Sequence, residues 1–159
     1  MSLVEETRGK LDRFMGEAAV QPADYTRNGY HLAVTAGPKQ IKRLAELLRQ
    51  EDRFLEFMTA VDRGPNLDLV YMFGSLTEPC RVKALVTVPK DRAVPSLAKV
   101  FAAADWFERE AYDLLGARFD GHPNLKRIIL PEDADFHPLL KDYQSGESDL
   151  NDDFEVGER

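Results

Sequence analysis

At 159 residues, 43% apolar and 31% charged, the chain has the size and composition of one soluble domain with a sizeable core. No stretch approaches the roughly 18 apolar residues of a membrane-spanning helix. The start, MSLVEETRGKLDRF, is acidic where a signal peptide is basic, so the expected location is the cytoplasmic side.

The formal charge of −7 is unevenly placed. Asp142, Glu147, Asp149, Asp152, Asp153, Glu155 and Glu158 stand against Arg159 alone in residues 142–159, leaving a nearly neutral body. That balance speaks against nucleic acid, which requires a basic surface to displace counterions, and against simple adsorption on anionic lipid. The acidic end is expected to be a solvated tail.

In chain order, Leu11, Phe14 and Met15 follow Leu3 and Val4 at helical spacing, predicting a short, fraying first helix over 4–17. After the Asn28-Gly29 turn, Tyr30, Leu32, Val34 and Ala36 alternate with His31, Ala33 and Thr35 as in a half-buried strand. Gly37-Pro38 opens a helix whose stripe is Ile41, Leu44, Leu47 and Leu48. Phe54 to Val61 predicts a strand ending at the turn cluster Asp62-Arg63-Gly64-Pro65. Residues 67–75 and 81–88 predict a hairpin.

Pro95-Ser96 predicts a helix start running through Leu97, Val100 and Phe101, and Asp105 the cap of a second helix, with Glu108 three residues later as in a capping box. Phe107, Ala111, Leu114 and Leu115 share one face of that helix, and Gly116 supplies its left-handed end. Beyond it Pro123, Pro131 and Pro138 are too close together for a long helix, although the segment is rich in apolar residues. The order of elements predicts an α+β domain with a mixed or mostly antiparallel sheet covered by helices. The expected organisation is a domain over 1–116, an extended Pro-rich docking arm over 117–143 and a disordered tail over 144–159.

Cys80 is the only cysteine, and there are three histidines. Clusters and structural zinc sites need four such ligands, so neither is expected, and Cys80 reads as a buried, unreactive thiol. His122 and His137, with Asp120, Asp133 and Asp135 nearby, invite a metal. The proline after His122 and the intervening Pro131 deny them the helical i,i+4 presentation of a zinc pair; a structural hydrogen bond from His122 near the Gly121 turn is the preferred expectation. No Ser or Cys sits in a nucleophile elbow.

Glu108-Arg109-Glu110, then Asp113-Leu114-Leu115-Gly116, Phe119, Gly121-His122-Pro123, Leu125, Arg127-Ile128 and Leu130-Pro131 closely resemble the thirty-kilodalton subunit family of respiratory complex I. The match runs in register from Ala104 to Tyr143, ending in Pro138-Leu139-Leu140-Lys141-Asp142-Tyr143. Leu140 departs from the arginine usual there. Over the first hundred residues the likeness is one of element order and length.

The resemblance implies a cofactor-free, non-catalytic peripheral-arm subunit of a proton-translocating NADH:quinone oxidoreductase, docked against the large subunit that lines the quinone cavity. The same domain type, alone or fused, serves energy-converting hydrogenases and formate hydrogenlyases, which is the alternative; with no large-subunit extension, this chain is expected to be the stand-alone form. The family residues carry no catalytic role in this reading. Arg109 and its acidic neighbours are expected to tie the arm down or meet a partner's charges, because charges trapped under apolar cover must be paired. The plainer possibility is a solvated helix face with Arg109 and Asp113 as an i,i+4 pair. A further alternative is a small acid–base enzyme using His122, Asp113 and Glu110, which requires the three to converge in a pocket.

Overall fold

The computed structural model describes residues 2–144; the predicted tail from Ser145 onward lies outside the described residues. Helix α1 (Leu3–Met15) opens on a capping box in which Ser2 and Glu5 satisfy each other's backbone N–H groups, so its start is fastened rather than fraying. It buries Leu11 and packs Leu3, Val4, Phe14 and Met15 against the core. A 3-10 turn (Glu17–Ala19) leads to strand β1 (Val20–Pro22) and the one-turn helix α2 (Tyr25–Asn28), neither of which the sequence pattern suggests.

Strand β2 (Leu32–Thr35), helix α3 (Ile41–Gln50) and strands β3 (Arg53–Asp62), β4 (Asn66–Ser75) and β5 (Val82–Pro89) follow, close to the expected limits except that residues 38–40 form a turn and α3 starts at Ile41, not at Pro38. The sheet order is β1-β2-β5-β4-β3. The β1/β2, β5/β4 and β4/β3 pairs are antiparallel and β2/β5 is parallel, giving the expected mixed α+β sheet. Alternation sets its buried face: Val82, Ala84, Val86 and Val88 of β5 are all at most 3% exposed. Gly74 leaves room where β4 passes β3: a Cβ there would meet the ends of the Glu56 and Phe54 side chains and force them to shift.

The chain between β5 and the last helix corrects the sequence reading. Leu97, Val100 and Phe101 form turns, not a helix, preceded by strand β6 (Ala93–Pro95). Helix α4 (Ala104–Leu115) is entered through Ala103 in helical conformation, with no side-chain cap. Asp105 therefore lies inside the first turn and Glu108 is no capping-box partner. After Gly116, left-handed at φ 71° as predicted, strand β7 (Arg118–Asp120) pairs in parallel with β6. Residues 121–144 contain no further helix or strand.

Candidate functional site

Helix α4 holds the densest set of predicted residues, and its geometry explains them. Ala104, Glu108, Ala111 and Leu115 fall at i, i+4, i+7 and i+11 and are buried toward the sheet. Asp113, on another face, is equally inaccessible, but what covers it is the segment after β7.

Asp113 anchors that segment. Its Oδ1 accepts from Arg127 Nη1 at 2.8 Å, and its Oδ2 accepts the consecutive N–H groups of Ile128, Ile129 and Leu130 at 2.9, 2.7 and 3.1 Å. Its backbone carbonyl accepts from Arg127 Nη1 at 3.0 Å and His137 Nδ1 at 2.9 Å. Burial pushes this carboxyl up, but those N–H donors and the guanidinium outweigh it and hold the group down at about 2. Arg127 also donates from Nη2 to Phe136 O at 3.2 Å.

Arg109 does not pair with Asp113. Its Nε and Nη2 donate to the carbonyls of Lys126 and Arg127 at 3.1 and 3.4 Å, and its guanidinium lies 5.0 Å from the centre of the Trp106 ring. Of Arg109 and its acidic neighbours, expected to tie this segment down or meet a partner's charges, Arg109 and Asp113 hold it within the chain, whereas Glu108 bonds Ser96 and Leu97 and Glu110 is exposed. Gly116 contributes a second property besides its left-handed backbone: a Cβ there would meet the His137 ring at 3.0 Å. That ring makes an edge contact with Tyr112 at 6.3 Å. Leu139 N donates to Leu114 O at 3.0 Å.

The segment's end is held by Asp62, which the sequence suggests only as a turn residue. Its Oδ2 accepts from Lys141 N at 2.8 Å and Lys90 Nζ at 2.9 Å, and its Oδ1 from Gly64 N at 2.7 Å. The Lys141 amide first, with Lys90 and Gly64, outweighs burial and lowers this carboxyl to about 2. Leu140, the departure from the family pattern, packs against the apolar core. Phe136 stacks on Tyr143 at 5.5 Å, and Asp142 approaches Lys90 at 3.8 Å.

A second buried cluster surrounds Glu108. Its Oε2 accepts from Ser96 Oγ and its Oε1 from Leu97 N, both at 2.6 Å. Burial dominates those two bonds and raises its carboxyl to about 7. The His122 ring is inaccessible. Its Nδ1 accepts from Asn124 N at 3.0 Å, leaving Nε2 to carry the proton and donate to the Asp105 backbone carbonyl at 3.3 Å, with Asp105 Oδ1 3.2 Å and Glu108 Oε2 3.9 Å away. The structural bond expected of His122 near the Gly121 turn is present. Local pattern places Ser96 and Asp105 at helix starts and does not reveal this cluster; the signal for Glu108 is its place in the Ala104/Ala111/Leu115 spacing.

The remaining predicted residues are dispersed. Phe119 is buried in β7, Gly121 turns at φ 77°, Pro138 is half-buried, and Glu110, Pro123, Pro131, Lys141 and Asp142 are exposed. The acid–base alternative fails on this geometry, since Glu110 is exposed, Asp113 is covered by residues 127–130 and His122 faces Asp105. Cys80 is buried, as expected, 3.8 Å from Thr7 Oγ1. Among the described residues, no group of three or more His, Cys, Asp or Glu could hold a metal ion, and no helix is long and apolar enough to cross a membrane.

The family model "Respiratory-chain NADH dehydrogenase, 30 Kd subunit" matches residues 34–149. The chain belongs to this family. The match reaches back to β2, well beyond the motif stretch that revealed it. Curated relatives, each named as the C subunit of NADH-quinone oxidoreductase, include one from Xanthobacter autotrophicus, 39% identical over 120 residues, covering 70% of this chain and 57% of the relative. Another from Mesorhizobium japonicum is 32% identical over 143 residues, covering 84% of this chain and 71% of the relative. A third from Rhodopseudomonas palustris is 43% identical over 121 residues, covering 70% and 58%. Two of these three alignments thus span less than two thirds of the relative's own length. A chain of the membrane-bound sulfane sulfur reductase, an archaeal respiratory membrane complex, shares the fold with a TM-score of 0.70 at 18% identity, over 87% of this chain and 86% of that one.

Proposed function

We propose that this member of the thirty-kilodalton family is a non-catalytic peripheral-arm component of a proton-translocating NADH:quinone oxidoreductase, docked to the large quinone-cavity subunit on the cytoplasmic side of the membrane. The observation that carries the proposal is the use of the family motif. Arg109, Asp113 and Gly116 fix residues 126–139 onto α4, and this assembled surface exposes Trp106, Ile129 and Leu139, which are 62, 59 and 57% exposed. Large exposed apolar and aromatic side chains on a rigid support suit a protein interface. In this reading 1–116 is the body, 117–143 the docking element and 144–159 the acidic tail.

Affinity purification of the tagged chain from its native organism, with partners identified by mass spectrometry, tests this. Recovery of the large subunit with a flavin-containing NADH module is the expected result. Deletion of the chain abolishes assembled NADH:quinone activity, while the purified chain holds no stoichiometric iron, zinc or flavin and turns nothing over. Bound metal or intrinsic turnover would sink the proposal.

The shared fold with a chain of another respiratory membrane complex favours one second reading, the equivalent subunit of an energy-converting hydrogenase or related assembly. Recovery of a nickel-iron large subunit without an NADH module selects it.

A further inference from the structure

A cavity of about 640 Å³ opens where the Gly37-Pro38 turn ahead of α3 meets the end of β5, the strand β6 and the last residue of β7. Val88, Pro89, Ala93 and Pro95 give it apolar walls. Its volume lies within the roughly 300–1,000 Å³ of ligand pockets, room for an aromatic side chain and its neighbours. Lys39 and Arg92 stand exposed in the lining against the acid Asp120. Neither cation belongs to an ion pair among the described residues.

The C-terminal acidic run begins beside this cavity. Lys90, which follows Pro89, meets Asp62 at 2.9 Å and Asp142 at 3.8 Å, and the described residues stop shortly after, at Gln144. Residues 145–159 then carry Glu147, Asp149, Asp152, Asp153, Glu155 and Glu158 against Arg159, interleaved with Leu150, Phe154 and Val156. That composition complements the cavity, with carboxylates for the two free cations and apolar side chains for the walls. Phe154 has an acid on either side and lies ten residues beyond Gln144. Ten extended residues span up to about 35 Å, ample reach from the surroundings of Lys90 to a cavity lined by Pro89 and Arg92.

We propose that residues 147–156 of this same chain occupy the cavity, with Phe154 on the apolar walls and its neighbouring carboxylates on Lys39 and Arg92. Exposed ion pairs are weak singly. A tethered segment, however, acts at a roughly millimolar effective concentration, so a modest contact suffices where a free peptide would need a strong one. Trp106, Ile129 and Leu139 do not line the cavity, so the inference stands apart from the docking reading and survives its failure.

A nitroxide at Gly157→Cys in the full-length chain, read by amide relaxation in nitrogen-15-labelled protein, tests this; Cys80 is buried and does not take the label. Relaxation enhancement is expected at the amides of Lys39, Arg92 and Ala93 and not at Val82, the other end of β5. Phe154→Ser, and Lys39→Glu combined with Arg92→Glu, are each expected to lower the docked-to-free ratio about tenfold and with it the enhancement. Both cations are exposed, so the charge variant leaves the core undisturbed. No enhancement at the cavity amides, or an undiminished one in both variants, would overturn the proposal. So would enhancement that persists when spin-labelled chains are mixed with separate nitrogen-15 chains lacking the nitroxide, since the occupant would then be a second copy.

Discussion

In β5, Val82, Ala84, Val86 and Val88 each lose nearly all their exposure to the core, whereas in residues 121–144 no apolar residue is fully buried and the segment hangs largely on Asp113 and Asp62. The difference is one of redundancy. Apolar burial is spread over many side chains and non-directional, so no single contact is indispensable. A segment held by two carboxylates depends on charge and geometry at single atoms, and single substitutions should release it while the sheet stays intact.

The largest expected effect is Asp113→Ala. It removes the four bonds that the carboxylate accepts and leaves Arg127, whose side chain is 9% exposed, without its anion, a loss of roughly 3–5 kcal/mol. Hydrogen exchange should accelerate over 126–140 while β4 and β5 amides stay protected. Uniform acceleration across the sheet would show that the two regions are not separable in this way.

Next comes pH, where the two buried carboxylates of α4 act oppositely. Glu108 has its folded value raised from 4.5 to about 7; the folded state binds the proton more tightly, so its contribution is complete below 4.5 and lost as pH rises through about 7. That shift corresponds to roughly 3 kcal/mol. Asp113 is lowered from 3.8 to about 2, so its contribution is present above 3.8 and lost as pH falls through about 2. Denaturant unfolding from pH 4.5 to 8 should show stability declining toward the alkaline end, and Glu108→Gln should flatten that decline. An unchanged slope in the variant would remove Glu108 as its source.

Gly116→Ala should cost about 2 kcal/mol, since alanine is strained at φ 71° and its Cβ displaces His137; midpoints and exchange at 137–140 report it. Asp62→Asn keeps the volume but weakens the bonds to Lys141 and Lys90, for about 1 kcal/mol and local loosening near 141. Smallest in stability is Trp106→Ser, within about 0.5 kcal/mol because the ring is exposed, yet it should lower recovery of the partner subunits. Full recovery would remove Trp106 from the interface.

Much of the body is legible in the sequence because period and turn chemistry are local. The alternation around Leu32 and Val34, the stripe from Ile41 to Leu48, the hairpin of β4 and β5 and the left-handed Gly116 all follow from a few neighbouring residues. β1, β6 and β7, of three residues each, are too short to show a period. The false helix at Leu97 and Phe101 arises because apolar spacing of i, i+4 fits two turns as well as a helix. Part of the site is legible too: of the motif charges expected to tie down the following segment, Asp113 holds it through Arg127 and Arg109 through the carbonyls of Lys126 and Arg127.

What the sequence determined by itself was its family, through the gapless run from Glu108 to Tyr143, and the class of fold, through hydrophobic period and turns. What only the tertiary structure decided was the state of each charge. Asp113 finds its partners 14 to 24 residues away and Asp62 one of its own 79 residues away, while Glu108 is enclosed and Arg53 is left with two unpaired donors. The energy of a charge depends on burial and on the groups within a few ångströms. Neither is a property of the neighbouring residues along the chain.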